Sequence, residues 1–118
     1  MCIRDSFRPP YISYNQKMYD LIDLTFICGY GCEDWEPSVT AKERADRILR
    51  DAKPGFIILL HDMEGNTQTV EAIKTIIPAL KEQGYEFVTV RDLFRKSGIV
   101  PQRNVIYMGA DEVRNNYE

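Results

Sequence analysis

Phe56-Ile57-Ile58-Leu59-Leu60 is an unbroken apolar run that stops on His61-Asp62. Lys53-Pro54-Gly55 stands before it and a polar loop, Met63 to Thr67, follows. A short run with no polar alternation predicts a strand buried on both faces, as in a parallel sheet covered by helices. In such sheets, function collects in the loops that leave the C-terminal ends of strands. His61 and Asp62 open one of these loops.

Outward from this run, the pattern alternates between helix and strand. Upstream, Thr40-x-x-Glu43 forms a capping box for a helix with the apolar stripe Ala45, Ile48, Leu49 and Ala52. Before it, Leu24 to Cys28 reads as a strand, and Gly29 to Val39 as a loop holding Asp34-Trp35. Ser13 to Ile22 reads as a helix with Met18, Leu21 and Ile22 on one face. Downstream, Thr69 to Gln83 reads as a helix with the stripe Val70, Ile73, Ile76, Ile77 and Leu80. Pro78 predicts a kink in it and Gly84 a C-terminal stop. Tyr85 to Val90 reads as a strand and Asp92-Leu93-Phe94 as a short closing turn. Helices and strands that alternate over short connections predict parallel β/α units.

The ends are less regular. Met1-Cys2-Ile3-Arg4-Asp5-Ser6 matches the translation of a common transposon-based sequencing adapter, so residues 1–6 are expected to be an adapter scar. Natural sequence is expected to begin near Phe7. Residues 95–118 are mostly polar, with one candidate strand at Val105-Ile106-Tyr107, and are expected to form an extension.

Composition excludes some functions. Across 118 residues the net charge is −3, and Lys and Arg are scattered among acids. No clustered basic face for nucleic acid is visible. No stretch is long and apolar enough to span a membrane. The three cysteines, Cys2, Cys28 and Cys32, form no CxxC pair. They suggest neither a disulfide framework nor a zinc finger, and two half-buried thiols are the expectation for Cys28 and Cys32.

His61 is the single histidine. Taken alone, it suits a general acid or base and equally a structural side chain bonded to backbone. It is one imidazole where zinc takes three or four ligands, so no metal site is expected within the chain. Asp34 is placed to pair with it across adjacent strand ends, fixing the ring and favouring its protonated form, or else is an exposed loop acid. Trp35 offers an indole face to a pyranose, or caps the core. Arg8, between Phe7 and Pro9-Pro10, is held on stiff backbone suited to bidentate carboxylate binding, or lies in a surface turn. Gly65-Asn66-Thr67 lacks the pattern of a phosphate loop and reads as a helix entry.

In combination these residues resemble a known family. Phe7-Arg8-Pro9-Pro10-Tyr11, then Asp34-Trp35, then Ile57 to Asp62 are similar to the last three signature motifs of the polysaccharide deacetylases, carbohydrate esterase family four. Lys53-Pro54-Gly55 and Leu80 to Val90 also fit, so the resemblance covers residues 7–94. It implies the C-terminal part of a distorted β/α barrel with parallel strands, the N-terminal half missing. It implies hydrolysis of N-acetyl groups in an amino-sugar polymer such as peptidoglycan or chitin. A divalent metal, often zinc, polarises the carbonyl in that family, an aspartate activates water, and a histidine protonates the leaving amine.

By position, the resemblance makes His61 the general acid and Asp34 its orienting partner. It makes Arg8 the holder of the catalytic base, and Tyr11 the donor of a backbone N–H to the oxyanion. Trp35 would wall the substrate groove and Leu59 would line the acetyl pocket. The family's aspartate pair and HxxxH ligands are not in this sequence, so this chain is expected to bind no metal and to be inactive alone. Ile12 stands where a small residue, often glycine, is usual, and Gly31 where an acid often precedes Asp34. The resemblance implies a polysaccharide partner and a place outside the cell or at its wall. Two other readings stay open: a non-catalytic carbohydrate-binding remnant, and an unrelated small α/β domain.

Overall fold

The computed structural model describes residues 5–114, in two compact units. Residues 1–4 of the expected adapter lie outside the described residues. The first unit draws on Met1–Gly29, Gly55–Ile57 and Val88–Glu118, the second on Tyr30–Pro54 and Ile58–Phe87.

The first unit is built on a sheet in the order β1 (Ser6–Phe7), β2 (Thr25–Ile27), β3 (Ile106–Gly109), β4 (Glu112–Val113). β1 and β3 flank β2 in parallel, and β4 returns antiparallel to β3. The β-branched and aromatic Thr25-Phe26-Ile27 suits a strand whose side chains alternate between two packed faces. Phe26 and Ile106 turn to one face, where Tyr19 and Cys28 complete a buried cluster. Ile27 and Tyr107 turn to the other, against Phe94 and Ala110. Phe26 meets Phe7 at 5.1 Å and Tyr19 at 4.6 Å between ring centroids. Burying a ring of this size contributes about 2–3 kcal/mol.

Short helices cover these faces. α1 (Gln16–Leu21) starts where the Asn15 side chain accepts a hydrogen bond from the Met18 amide. α4 (Val90–Ser97) starts at Thr89, whose hydroxyl accepts from the Asp92 amide, and ends at Gly98 with φ +70°. The expected closing turn at Asp92-Leu93-Phe94 is therefore a helix, because Thr89 caps it and Gly98 stops it.

The second unit packs α2 (Ala41–Asp51) against α3 (Thr67–Glu82) around Cys32, Ala45, Ile48, Ala72, Ile76 and Leu80. The Thr40 hydroxyl accepts from the Glu43 amide, as the capping box predicts. α3 continues through Pro78, whose ring sits on the exposed side, where water can serve the carbonyl it leaves unpaired. Ile76 and Leu80 are buried as expected, but Val70 and Ile77, also expected in the core, are exposed, and Thr69 and Ala72 complete the buried stripe.

Two expected strands are not ladders. The run 56–60 makes only isolated bridges, Phe56 with Gly109 and Ile58 with Tyr30, and its residues are half-buried. The chain changes partner, and changes compact unit, between those two bridges, so no continuous pairing forms. At 85–89 the backbone is consumed by helix ends. The Tyr85 amide donates to the Leu80 carbonyl at 3.0 Å, and Thr89 caps α4.

The outer segments also join the sheet. Ser6 pairs with Thr25. The Asp5 carbonyl accepts from the Thr25 amide, and the Asp5 carboxylate meets Arg91 at 3.1 Å. Residues 95–118, expected as an extension, supply β3 and β4, and Ile106 is fully buried.

Candidate functional site

Within the second unit, two chain segments run parallel where Tyr30 bridges Ile58 and the Leu59 amide donates to the Tyr30 carbonyl at 2.8 Å. Leu59 also packs over Gly31, where a Cβ would meet it at ordinary contact distance. Four residues beyond Tyr30 comes Asp34; three beyond Ile58 comes His61. The parallel register thus delivers both to the same end.

They meet directly. His61 Nδ1 lies 2.8 Å from Asp34 Oδ1, and the His61 backbone amide donates to Asp34 Oδ2 at 2.6 Å. Asp34 is 1% exposed, whereas the His61 side chain is 40% exposed. One carboxylate therefore anchors both the backbone and the ring of a histidine that still reaches solvent. Asp34 is not the exposed loop acid of the alternative reading.

Three further residues complete the setting, and sequence reasoning missed them. The Thr69 hydroxyl bonds Asp34 Oδ2 at 3.0 Å. Arg44, 1% exposed, donates from one terminal nitrogen to Thr69 Oγ1 at 2.8 Å and to Asn66 Oδ1 at 2.7 Å. Its other nitrogens donate to the Val39 carbonyl at 2.8 Å and the Glu36 carbonyl at 3.0 Å. Asn66 in turn donates to the His61 carbonyl at 2.9 Å. The entry of α3 at Asn66 is thus also a clamp on His61. Two buried opposite charges joined through hydrogen bonds meet the condition under which buried charge is tolerated.

Beside this network lies a cleft of about 280 Å³ lined by His61, Asp62, Met63, Asn66, Val70 and Ile73, among others. Trp35 is 52% exposed, with its indole available to solvent, and Leu59 is half-buried. Cys32 is fully buried; burial pushes its thiol up from the ordinary value of 9.0, and the Asp34 charge adds to this.

Arg8 and Tyr11 belong to the first unit. Arg8 is exposed ahead of the buried Pro9. Pro10–Ile12 forms a 3-10 turn in which the Ile12 amide donates to the Pro9 carbonyl at 2.9 Å. Tyr11 is fully exposed at φ 57°, and Ile12 follows at φ 51°. Both are in the left-handed region, which a β-branched residue rarely adopts. The small residue usual at this place in the resembled family suits that backbone.

Among the described residues, no three His, Cys, Asp or Glu side chains gather to hold a metal ion. The single imidazole has one nitrogen on Asp34 already. The described residues do not fit a divalent metal. No helix among them is long and apolar enough to cross a membrane.

No protein-family model matches the chain. Curated proteins do. The chain is 55% identical over 101 residues to a bifunctional xylanase/deacetylase of Pseudobutyrivibrio xylanivorans, covering 86% of this chain and 16% of that protein. It is 48% identical over 65 residues to a peptidoglycan-N-acetylglucosamine deacetylase of Bacillus cereus, covering 52% of this chain and 29% of that one. Among solved structures, it matches the Xyl-CE4 domain of a multidomain xylanase from the hindgut metagenome of Trinervitermes trinervoides. The TM-score is 0.86 at 48% identity, over 91% of this chain and 53% of that domain. A family 4 acetyl xylan esterase from Clostridium thermocellum, solved with a cobalt ion, matches with TM-score 0.82 at 36% identity, over 92% and 54%. The chain therefore spans about half the length of the solved structures and less than a third of these curated relatives. Its α/β architecture with a parallel-rich sheet matches about half of these carbohydrate esterase family four structures, and over that span the chain is similar to polysaccharide deacetylases.

Proposed function

We propose that this chain carries the acid side of a deacetylase site that removes acetyl groups from a polysaccharide, with N-acetylated amino-sugar polymer as substrate. The observation that carries the reading is the His61–Asp34 pair: an imidazole still open to solvent, held at 2.8 Å by a carboxylate that is 1% exposed. Such a ring is oriented to deliver a proton to a leaving atom, and the carboxylate stabilises the imidazolium before delivery. Trp35 walls the groove and Leu59 lines the acetyl pocket. By the family resemblance, Arg8 would hold the carboxylate base and the Tyr11 amide would serve the developing oxyanion.

The base and the ligands of the divalent metal, zinc in our reading, come from residues outside this chain. The chain alone is inactive. A polymer of this kind as substrate would have the whole protein act outside the cell or at its wall.

A second reading, ester hydrolysis on acetylated xylan, is favoured by the xylanase and xylan esterase relatives. The His61 geometry serves an alcohol leaving group as well as an amine.

The test grafts residues 7–94 in place of the matching segment of the Xyl-CE4 domain and measures acetate release from chitooligosaccharide and acetylated xylan. We expect acetate from the graft and none above blank from this chain alone, with zinc or cobalt added. His61→Asn in the graft should lower the rate about a hundredfold or more. An active graft indifferent to His61→Asn would sink the acid role, and the preferred substrate decides between the two polymers.

A further inference from the structure

The hydrogen bonds around Asp34 have a direction. Arg44 is donor-only, so Thr69 Oγ1 must accept from it at 2.8 Å. The one hydroxyl proton of Thr69 is then free to point at Asp34 Oδ2, 3.0 Å away. That oxygen also takes the His61 amide, which leaves Oδ1 for the ring. An ionised carboxylate only accepts, so Nδ1 must carry the proton.

We propose that Arg44 and Thr69 are positioning residues that lock His61 in its Nδ1–H tautomer, so that the other ring nitrogen handles the proton of the reaction. Arg44 acts through Thr69, and Thr69 through the rotation of the Asp34 carboxylate about its Cβ–Cγ bond. Neither touches substrate. Their burial, at 1% and 4% exposure, keeps water from substituting for either contact. Arg44 holds its own place through the Glu36 and Val39 carbonyls and Asn66, so its donor to Thr69 has a fixed aim. The inference deepens the reading of His61 as the acid and rests on it.

Because the chain has one histidine, its ring nitrogens give one set of signals in a long-range nitrogen–proton correlation spectrum. The experiment uses the full 118-residue chain, isotope-labelled, without substrate, at a pH where the ring is neutral. Wild type and Thr69→Ser, which keeps the hydroxyl, should both show the Nδ1–H tautomer in excess. Thr69→Val should move the ratio toward Nε2–H by about tenfold, the scale of one buried hydrogen bond. A folded Thr69→Val with a ratio within about twofold of wild type would overturn the proposal. So would loss of the excess in Thr69→Ser. If Thr69→Val fails to fold, Arg44→Lys decides: it keeps the charge but cannot span Thr69 and the two carbonyls. An unchanged tautomer there overturns the proposal, and a shift toward Nε2–H supports it. The readout needs no turnover, so a graft that releases no acetate beside a normal tautomer pattern would sink the deacetylase reading alone.

Discussion

The backbone amide and the ring of His61 are both bonded to the one carboxylate of Asp34, at 2.6 and 2.8 Å. Asp34→Asn replaces one acceptor oxygen with a donor NH2. That group must then face the His61 amide and the Thr69 hydroxyl, or the ring, and Arg44 loses the buried negative charge opposite it. Breaking a buried charge network in this way costs about 3 kcal/mol. Denaturant unfolding of the chain should show a midpoint shift of that size, and a shift below about 1 kcal/mol would contradict it.

Ile12 supplies a test in which the usual order of two substitutions reverses. Ala is ordinarily the more stabilising choice over Gly. At φ 51°, however, any Cβ is strained and Gly is not. Ile12→Gly and Ile12→Ala both lose the side chain beyond Cβ that packs against the Tyr19–Phe26 cluster, and they differ only in the strained Cβ itself. Ile12→Gly should therefore be the more stable of the two by about 1 kcal/mol in paired urea titrations.

Gly29 and Gly31 lie two residues apart and should respond differently. A Cβ on Gly29 would stand 2.8 Å from the Ile57 carbonyl oxygen, on backbone with φ +80°. On Gly31 its nearest neighbour is Leu59 Cδ2 at 3.7 Å. Gly29→Ala should cost about 2 kcal/mol or more, and Gly31→Ala less than about 0.5 kcal/mol. Equal thermal shifts for the two would refute this.

Burial pushes the thiols of Cys28 and Cys32 up from 9.0; Arg114 opposes this at Cys28, and Asp34 reinforces it at Cys32. Folding therefore favours the protonated thiol. The unfolded chain releases its protons first as pH rises, so this stability is whole below the ordinary thiol value and is lost as pH climbs through the raised folded values. Stability measured against pH should fall above 9.0. The double substitution Cys28→Ala with Cys32→Ala should flatten that slope, whatever its effect on absolute stability.

Asp34 and His61 were readable as a pair because each follows an apolar run by a few residues, and parallel strands end together. The caps at Thr40 and Gly84 were readable because they are local chemistry. Ladder partners were not: whether 56–60 pairs continuously, or whether Ile106 sits beside Phe26, depends on contacts remote in sequence. Arg44 and Thr69 did leave a signal. Arg44 stands four residues before Ile48, and Thr69 precedes Ala72, Ile76 and Leu80 at helical spacing. A polar side chain on an apolar stripe marks a buried bond, and that mark can be seen without coordinates.

Arg44 has one more consequence. A guanidinium stays charged at any pH the protein meets, so the bonded chain that begins at His61 terminates in a group that will neither take up nor release a proton. The interior end is insulated. A proton captured by the ring cannot leak inward through Asp34 and Thr69; it leaves by the face it entered. The bonded chain is a cul-de-sac: its one open end is the His61 ring at the cleft.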